Sequence, residues 1–147
     1  MSEVSKSRAG LALALPGTWL IRIGWVLSGL VIAFFLLDAG MKMTGADVSV
    51  SATVALGYPA HQVRAIGFIL LILTGLYAIP RTSVLGALGA TGYLGGAVAA
   101  QLRVESPLIS HVLFGVYLGL MLWGGLYLRE PRLRTLLPLV GPRETSF

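Results

Sequence analysis

Four apolar stretches, near Thr18–Gly40, Gln62–Pro80, Thr82–Leu102 and Pro107–Arg129, leave this chain few ways to fold. Each is long enough for a helix to cross a hydrocarbon core that needs roughly 20 residues. A backbone in lipid must satisfy its own hydrogen bonds, which restricts spanning segments to helices or closed barrels. The runs are about twice the length of a membrane β-strand and lack its alternation, so helices are expected. Composition agrees: 12% of the 147 residues are charged and 56% hydrophobic, too little polar surface for a water-soluble globule.

The breaks between the runs have local causes. Pro80 ends the second, and Thr82 or Ser83 is placed to cap the third. Ser106–Pro107 reads as an N-cap followed by proline at the first helical position, and Glu130–Pro131 stops the fourth run. Connections this short force antiparallel neighbours. The expected fold is all-α: a transmembrane antiparallel four-helix bundle over residues 18–129, between cytoplasmic tails at 1–17 and 130–147. The first connection is longer. Val50 and Val54 share a helical face there and Gly57 suits a C′ position, so a short helix is expected in this extracytoplasmic loop.

Basic residues set the orientation. Lys6, Arg8, Arg22, Arg81, Arg129, Arg132, Arg134 and Arg143 collect on one side, and Lys42, Arg64 and Arg103 on the other. The positive-inside rule assigns the larger group, and both termini, to the cytoplasm. Trp19, Trp123 and Tyr127 lie near the same ends, as an interfacial belt would. The run Leu11–Leu15 is short for a signal peptide, so no cleavage is expected. The segment Arg129–Leu137 reads either as a solvated basic flank or as a stretch lying on headgroups. The net charge of +5 does not suggest nucleic acid, because the bases flank apolar runs and form no stripe.

Lipid is as apolar as leucine, so close packing through small residues must help hold the helices together. Gly86, Gly89, Gly92 and Gly96 on the third helix, with Gly115 and Gly119 on the fourth, are the packing candidates. They make the third helix the expected centre of the bundle.

Ionisable groups inside spans are functional candidates. At 1.5 Å per residue, Asp38 lies about 24 Å above Arg22 and Arg64 about 25 Å above Arg81. Gln101 lies about 30 Å above Arg81, and His111 about 27 Å above Arg129. Every helix thus brings a polar group to one outer layer, with Tyr93 two turns below Gln101 and Lys42 just beyond. Asp38 and Lys42 have the favourable i, i+4 order, and Arg64 is expected to reach Asp38 across helices. The alternatives for this layer are structural pairing and ligand or proton handling.

Other chemistries fit poorly. Cysteine is absent, so thiolate metal sites and disulfides are excluded. No His/Asp/Glu cluster has metal-ligand spacing, and no metal site is expected. His61 and His111 do not make a convincing haem pair. The glycine-rich run Gly89–Gly96 lies inside a span without a preceding strand, so it is no phosphate loop.

The segment Arg22–Leu128 resembles the DoxX-like family of small bacterial four-helix membrane proteins. The resemblance rests on Asp38-Ala-Gly-Met-Lys42, Leu56-Gly-Tyr-Pro59, Ile79-Pro80, Gly92-Tyr-Leu-Gly-Gly-Ala97 and Ala100-Gln-Leu-Arg103. Many relatives carry histidine where this chain has Gln101. The resemblance implies membership of a group whose namesakes include a membrane subunit of thiosulfate oxidation with quinone as acceptor. The expectation is therefore an outward-facing polar pocket for a lipophilic or anionic small molecule, with quinone as the candidate cofactor. Asp38, Lys42, Arg64, Tyr93, Gln101 and His111 would line it. If the protein is an enzyme, it would be a quinone-linked oxidoreductase subunit. The competing expectation is a non-catalytic accessory subunit, packed on another membrane or redox subunit or on a second copy of itself.

Overall fold

In a computed structural model, which describes residues 17–136, four helices are long and apolar enough to cross a membrane. The first, α1, runs Gly17–Thr44. A short helix α2 (Asp47–Ala55) and a 3-10 turn (Ala60–Gln62) lead into α3 (Val63–Ala78). Then come α4 (Ser83–Arg103), a π-helical turn (Leu108–Val112), α5 (Leu113–Arg129) and a short α6 (Pro131–Leu136). Among the described residues there is no strand. The run Leu11–Leu15 and the bases Lys6, Arg8 and Arg143 lie outside the described residues.

Each helix buries one stripe at three- and four-residue steps. On α1 it is Gly24, Ser28, Val31, Phe35, Ala39 and Lys42; on α3 it is Val63, Gly67, Leu70, Thr74 and Tyr77. That spacing keeps a seam facing its neighbour along near-antiparallel helices. The helices form a ring in which α1 packs against α3 and α5, and α4 closes the other side. The most extensive packing belongs to α1, so the expectation that the third spanning helix is central is corrected. Small residues explain why. A Cβ on Gly24 would fall 2.7 Å from the Arg129 backbone nitrogen, and one on Gly125 would fall 2.9 Å from that of Ser28. The α1–α5 crossing is thus nearly backbone on backbone, and sequence reading passed over both glycines.

The element boundaries show different local chemistry from that expected. Thr82 and Ser83 do not cap α4. Thr82 Oγ1 donates to Leu76 O at 2.8 Å, a carbonyl released at the end of α3, and Ser83 Oγ to Pro80 O at 3.1 Å in the turn that follows. The helical turn before α5 starts one residue later than expected: Pro107 is the N-cap, and no side-chain cap bond is made. Gly57 does close α2 (φ +88°), with Gly57 N donating to Val54 O and Tyr58 N to Thr53 O. Those two bonds make a Schellman motif. The inward face of α2, however, is Ser49 and Thr53, while Val48 and Val54 are exposed.

At the end where α1 begins and α5 finishes, a polar cluster interrupts the apolar spans. Tyr77 Oη donates to Leu122 O at 2.8 Å, which spends its one proton, so Ser28 Oγ is the donor in its 3.0 Å bond to that hydroxyl. Arg129 is buried; its Nη2 donates to Tyr77 O at 2.8 Å. Its guanidinium lies 4.7 Å from the Trp25 ring centroid and 4.8 Å from that of Tyr77, a cation–π sandwich. Helix α6 folds back over this end. Leu133 is buried in the core, and Arg134 bonds the carbonyls of Tyr127 and Leu128. Arg129, Leu133 and Arg134 therefore pack against the bundle, while Pro131, Arg132 and Leu136 are exposed. We expect Tyr77→Phe to lower stability by about 1–2 kcal/mol, since it leaves the buried Ser28 hydroxyl without its partner and removes the interhelical bond to the Leu122 carbonyl. Thermal melting in detergent checks it.

Candidate functional site

At the opposite end, under α2, the four spanning helices diverge around a cavity of about 500 Å³. Its walls are largely hydrocarbon: Phe34 and Phe35 from α1, Ile66 and Ile69 from α3, Leu94 from α4, and Phe114 and Leu118 from α5. The helix α2 forms the roof through Val48, Ser49, Ala52 and Thr53. Arg103 at the end of α4 fastens that roof, donating to Leu56 O at 2.5 Å.

Five of the six residues expected at the site line this cavity: Asp38, Lys42, Tyr93, Gln101 and His111. Asp38 and Lys42 are ion-paired one turn apart on α1. Tyr93 Oη reaches the other oxygen of Asp38 at 3.5 Å, the outer limit of a hydrogen bond. Arg64 is the exception. It follows buried Val63 on α3, which turns it out of the bundle, and it is exposed and absent from the cavity wall. The expected Arg64–Asp38 contact is not made; Lys42 is the carboxylate's basic partner. Height along a helix placed Arg64 correctly, and azimuth did not.

Hydrogen-bonding capacity at the polar end is unspent. Ser49 is 94% buried, since 6% of its surface is exposed, and its hydroxyl has no partner. Among the described residues the Gln101 amide and the Tyr58 hydroxyl also have none. His111 accepts from or donates to Ser110 Oγ through Nδ1 at 2.8 Å, which leaves Nε2 for another group. The π-helical turn carries His111: Val112 N bonds back five residues to Pro107 O. Such turns insert an extra residue and re-aim side chains, often at functional sites. Sequence reading missed Ser49 and Tyr58. Their signal was present in the inward serine and threonine of α2, spaced i, i+4.

The glycines expected to pack divide by position. A methyl at Gly86 would overlap the backbone of Tyr77, one at Gly89 would overlap the Leu73 side chain, and one at Gly115 would fall 2.8 Å from Val98 Cγ2. Gly119 has only ordinary contact with Leu94, at 3.9 Å. Gly92 and Gly96 are corrected: nothing lies within 4 Å of a Cβ at either, and both border the cavity. No group of three or more His, Cys, Asp or Glu able to hold a metal occurs among the described residues.

This arrangement matches a known family. The model of the DoxX-like family covers residues 26–125, from the middle of α1 to the buried Gly125 of α5. The chain belongs to the DoxX-like family. The matched span contains every cavity residue of this DoxX-like protein, and four apolar helices make it a multi-pass membrane protein. No curated protein and no solved structure matches the chain.

Proposed function

We infer that the cavity under α2 binds a lipophilic small molecule with an uncharged, hydrogen-bonding head, the chemistry of a quinone. One observation carries this reading: unpartnered polar groups (Tyr58, Gln101 and His111 Nε2) line a hydrocarbon-walled cavity. Pockets with apolar walls and a few convergent polar groups are the usual form of small-molecule sites. A quinone ring would occupy the apolar part, with its carbonyls accepting from Gln101, Tyr58 or the Lys42 ammonium. An anionic ligand fits less well. The cavity's one ammonium is already paired with Asp38, so an anion would have to compete for it.

The positive-inside distribution supports an inner-membrane protein with cytoplasmic termini, which turns the cavity outward. On that reading the protein receives its ligand from the outer half of the bilayer or from the periplasmic side. Any redox chemistry would then use the bound quinone together with a partner protein. Asp38 and His111 are the groups placed to exchange a proton with it.

The test is ligand-induced stabilisation. A short-chain benzoquinone at about 100 times its dissociation constant should raise stability by about 2.7 kcal/mol, read as a shift in the melting temperature. Gln101→Leu should reduce that shift while leaving the unliganded melt unchanged. No shift in the unmodified protein would remove this reading and favour an accessory subunit.

A further inference from the structure

The seam between α3 and α4 changes character along its length. Near the α3–α4 turn it is closed, with Gly86 against the backbone of Leu76 and Tyr77, and Gly89 against Leu73. Beyond Gly89 it opens. Gly92 and Gly96 are both exposed and nothing would meet a Cβ at either, yet both line the cavity, opposite Ile66 and Ile69 of α3. Ile69 is itself 52% exposed. At 1.5 Å per residue the two glycines lie about 16 and 10 Å below Arg103, inside the hydrocarbon layer. A gap at that depth, edged by isoleucine and glycine, faces lipid chains. Independently, the Gln101 amide and His111 Nε2, which line the same cavity, have no partner among the described residues.

We propose that the Gly92–Gly96 edge of α4 and the Ile66–Ile69 edge of α3 form a lateral portal. Through it the apolar chain of the bound ligand passes from the cavity into the bilayer. The ligand class is therefore a chain-bearing amphiphile: a small uncharged hydrogen-bonding head on a long alkyl or polyisoprenoid tail. A compact water-soluble molecule would need no such opening. The proposal rests on the reading of the cavity as a ligand site. It also explains why small residues occupy these positions without packing against anything. A leucine at Gly92 or Gly96 would stand in the gap, while the head-binding groups Tyr58 and Gln101 lie nearer the α2 end.

The experiment uses the full chain in phosphatidylcholine nanodiscs. The probes are a tailless methoxy-substituted benzoquinone and the same ring carrying a decyl chain, titrated by calorimetry. Variants are Gly96→Leu and Gly92→Leu, with Gly75→Leu as control. Gly75 is an exposed α3 position with equally open surroundings, and it is not part of this cavity's wall. Both portal variants should weaken the decyl probe by about tenfold or more relative to the unmodified protein, with the tailless ring changed by less than about twofold. The control should change neither. Equal effects on the two probes, or no effect on the decyl probe, would overturn the portal. So would a sharp fall in the variants' melting temperature, because that would mean the gap is packed. Failure of the unmodified protein to bind either ring would instead overturn the ligand-site reading, and the portal with it.

Discussion

Gly86→Leu and Gly125→Leu are each expected to abolish the folded state, whereas Gly92→Leu should melt with the unmodified protein. The contrast follows from what a side chain would meet. At Gly86 the obstacle is the Tyr77 backbone, and at Gly125 it is the Ser28 backbone nitrogen and the Gly24 carbonyl, 2.9 and 3.1 Å from a Cβ. Backbone cannot rotate away as a side-chain end can, so helices must separate. Overpacking a well-packed core costs typically 1–3 kcal/mol, and forcing two helix axes apart exceeds that range. Proteins have about 5–15 kcal/mol of stability in total. The separation also breaks the Tyr77–Leu122, Ser28–Tyr77 and Arg129–Tyr77 hydrogen bonds, which depend on the same close approach. At Gly92 the added atoms enter open space, and the helix gains from losing a glycine. Circular dichroism melts in detergent, with size-exclusion profiles, distinguish the outcomes. A folded Gly125→Leu would show that the α1–α5 crossing is looser than its geometry states.

That contrast also marks where reading the sequence stops being sufficient. Length and hydropathy locate the four spans to within a few residues, because lipid demands a minimum apolar run. They do not say which face looks inward. Lipid and protein interior are equally apolar, so a spanning helix lacks the polar-outside signal of a soluble one. Hence Gly92 and Gly96, at a spacing typical of packing motifs, border an opening, while Gly24, paired with Ser28 at that same spacing, and Gly125, in no such motif, make a close crossing. The same gap accounts for Arg64. Counting residues along α3 gives its height, and one residue's difference from Val63 turns it outward. Arg129 reads as a basic flank from its position, and its burial depends on Trp25 and Tyr77, which lie far away in sequence. The polar layer at the α2 end was legible because depth alone defines it, and five of its six candidate residues share the cavity.

The second large effect concerns the ion pair in that layer. Asp38→Leu should destabilise the protein by about 3 kcal/mol or more, because it strands the Lys42 charge in a largely buried position. The Lys42 side chain is 11% exposed and that of Asp38 23%, so neither is well solvated. Replacing both with leucine should restore most of the loss, since removing a buried pair together is often neutral. Stability alone therefore cannot tell a scaffold pair from a binding group, but ligand binding in the double variant can. If the pair only fastens α1, the refolded double variant binds quinone normally. The geometry favours the other result. Both side chains line the cavity, and Tyr93 depends on Asp38 for its one hydrogen-bond partner. Loss of a charged donor at the ligand removes about 1.5–3 kcal/mol, so the double variant should be as stable as the unmodified protein and bind at least about tenfold more weakly. Calorimetry on the two proteins, at matched fractions folded, decides between a brace and a binding wall.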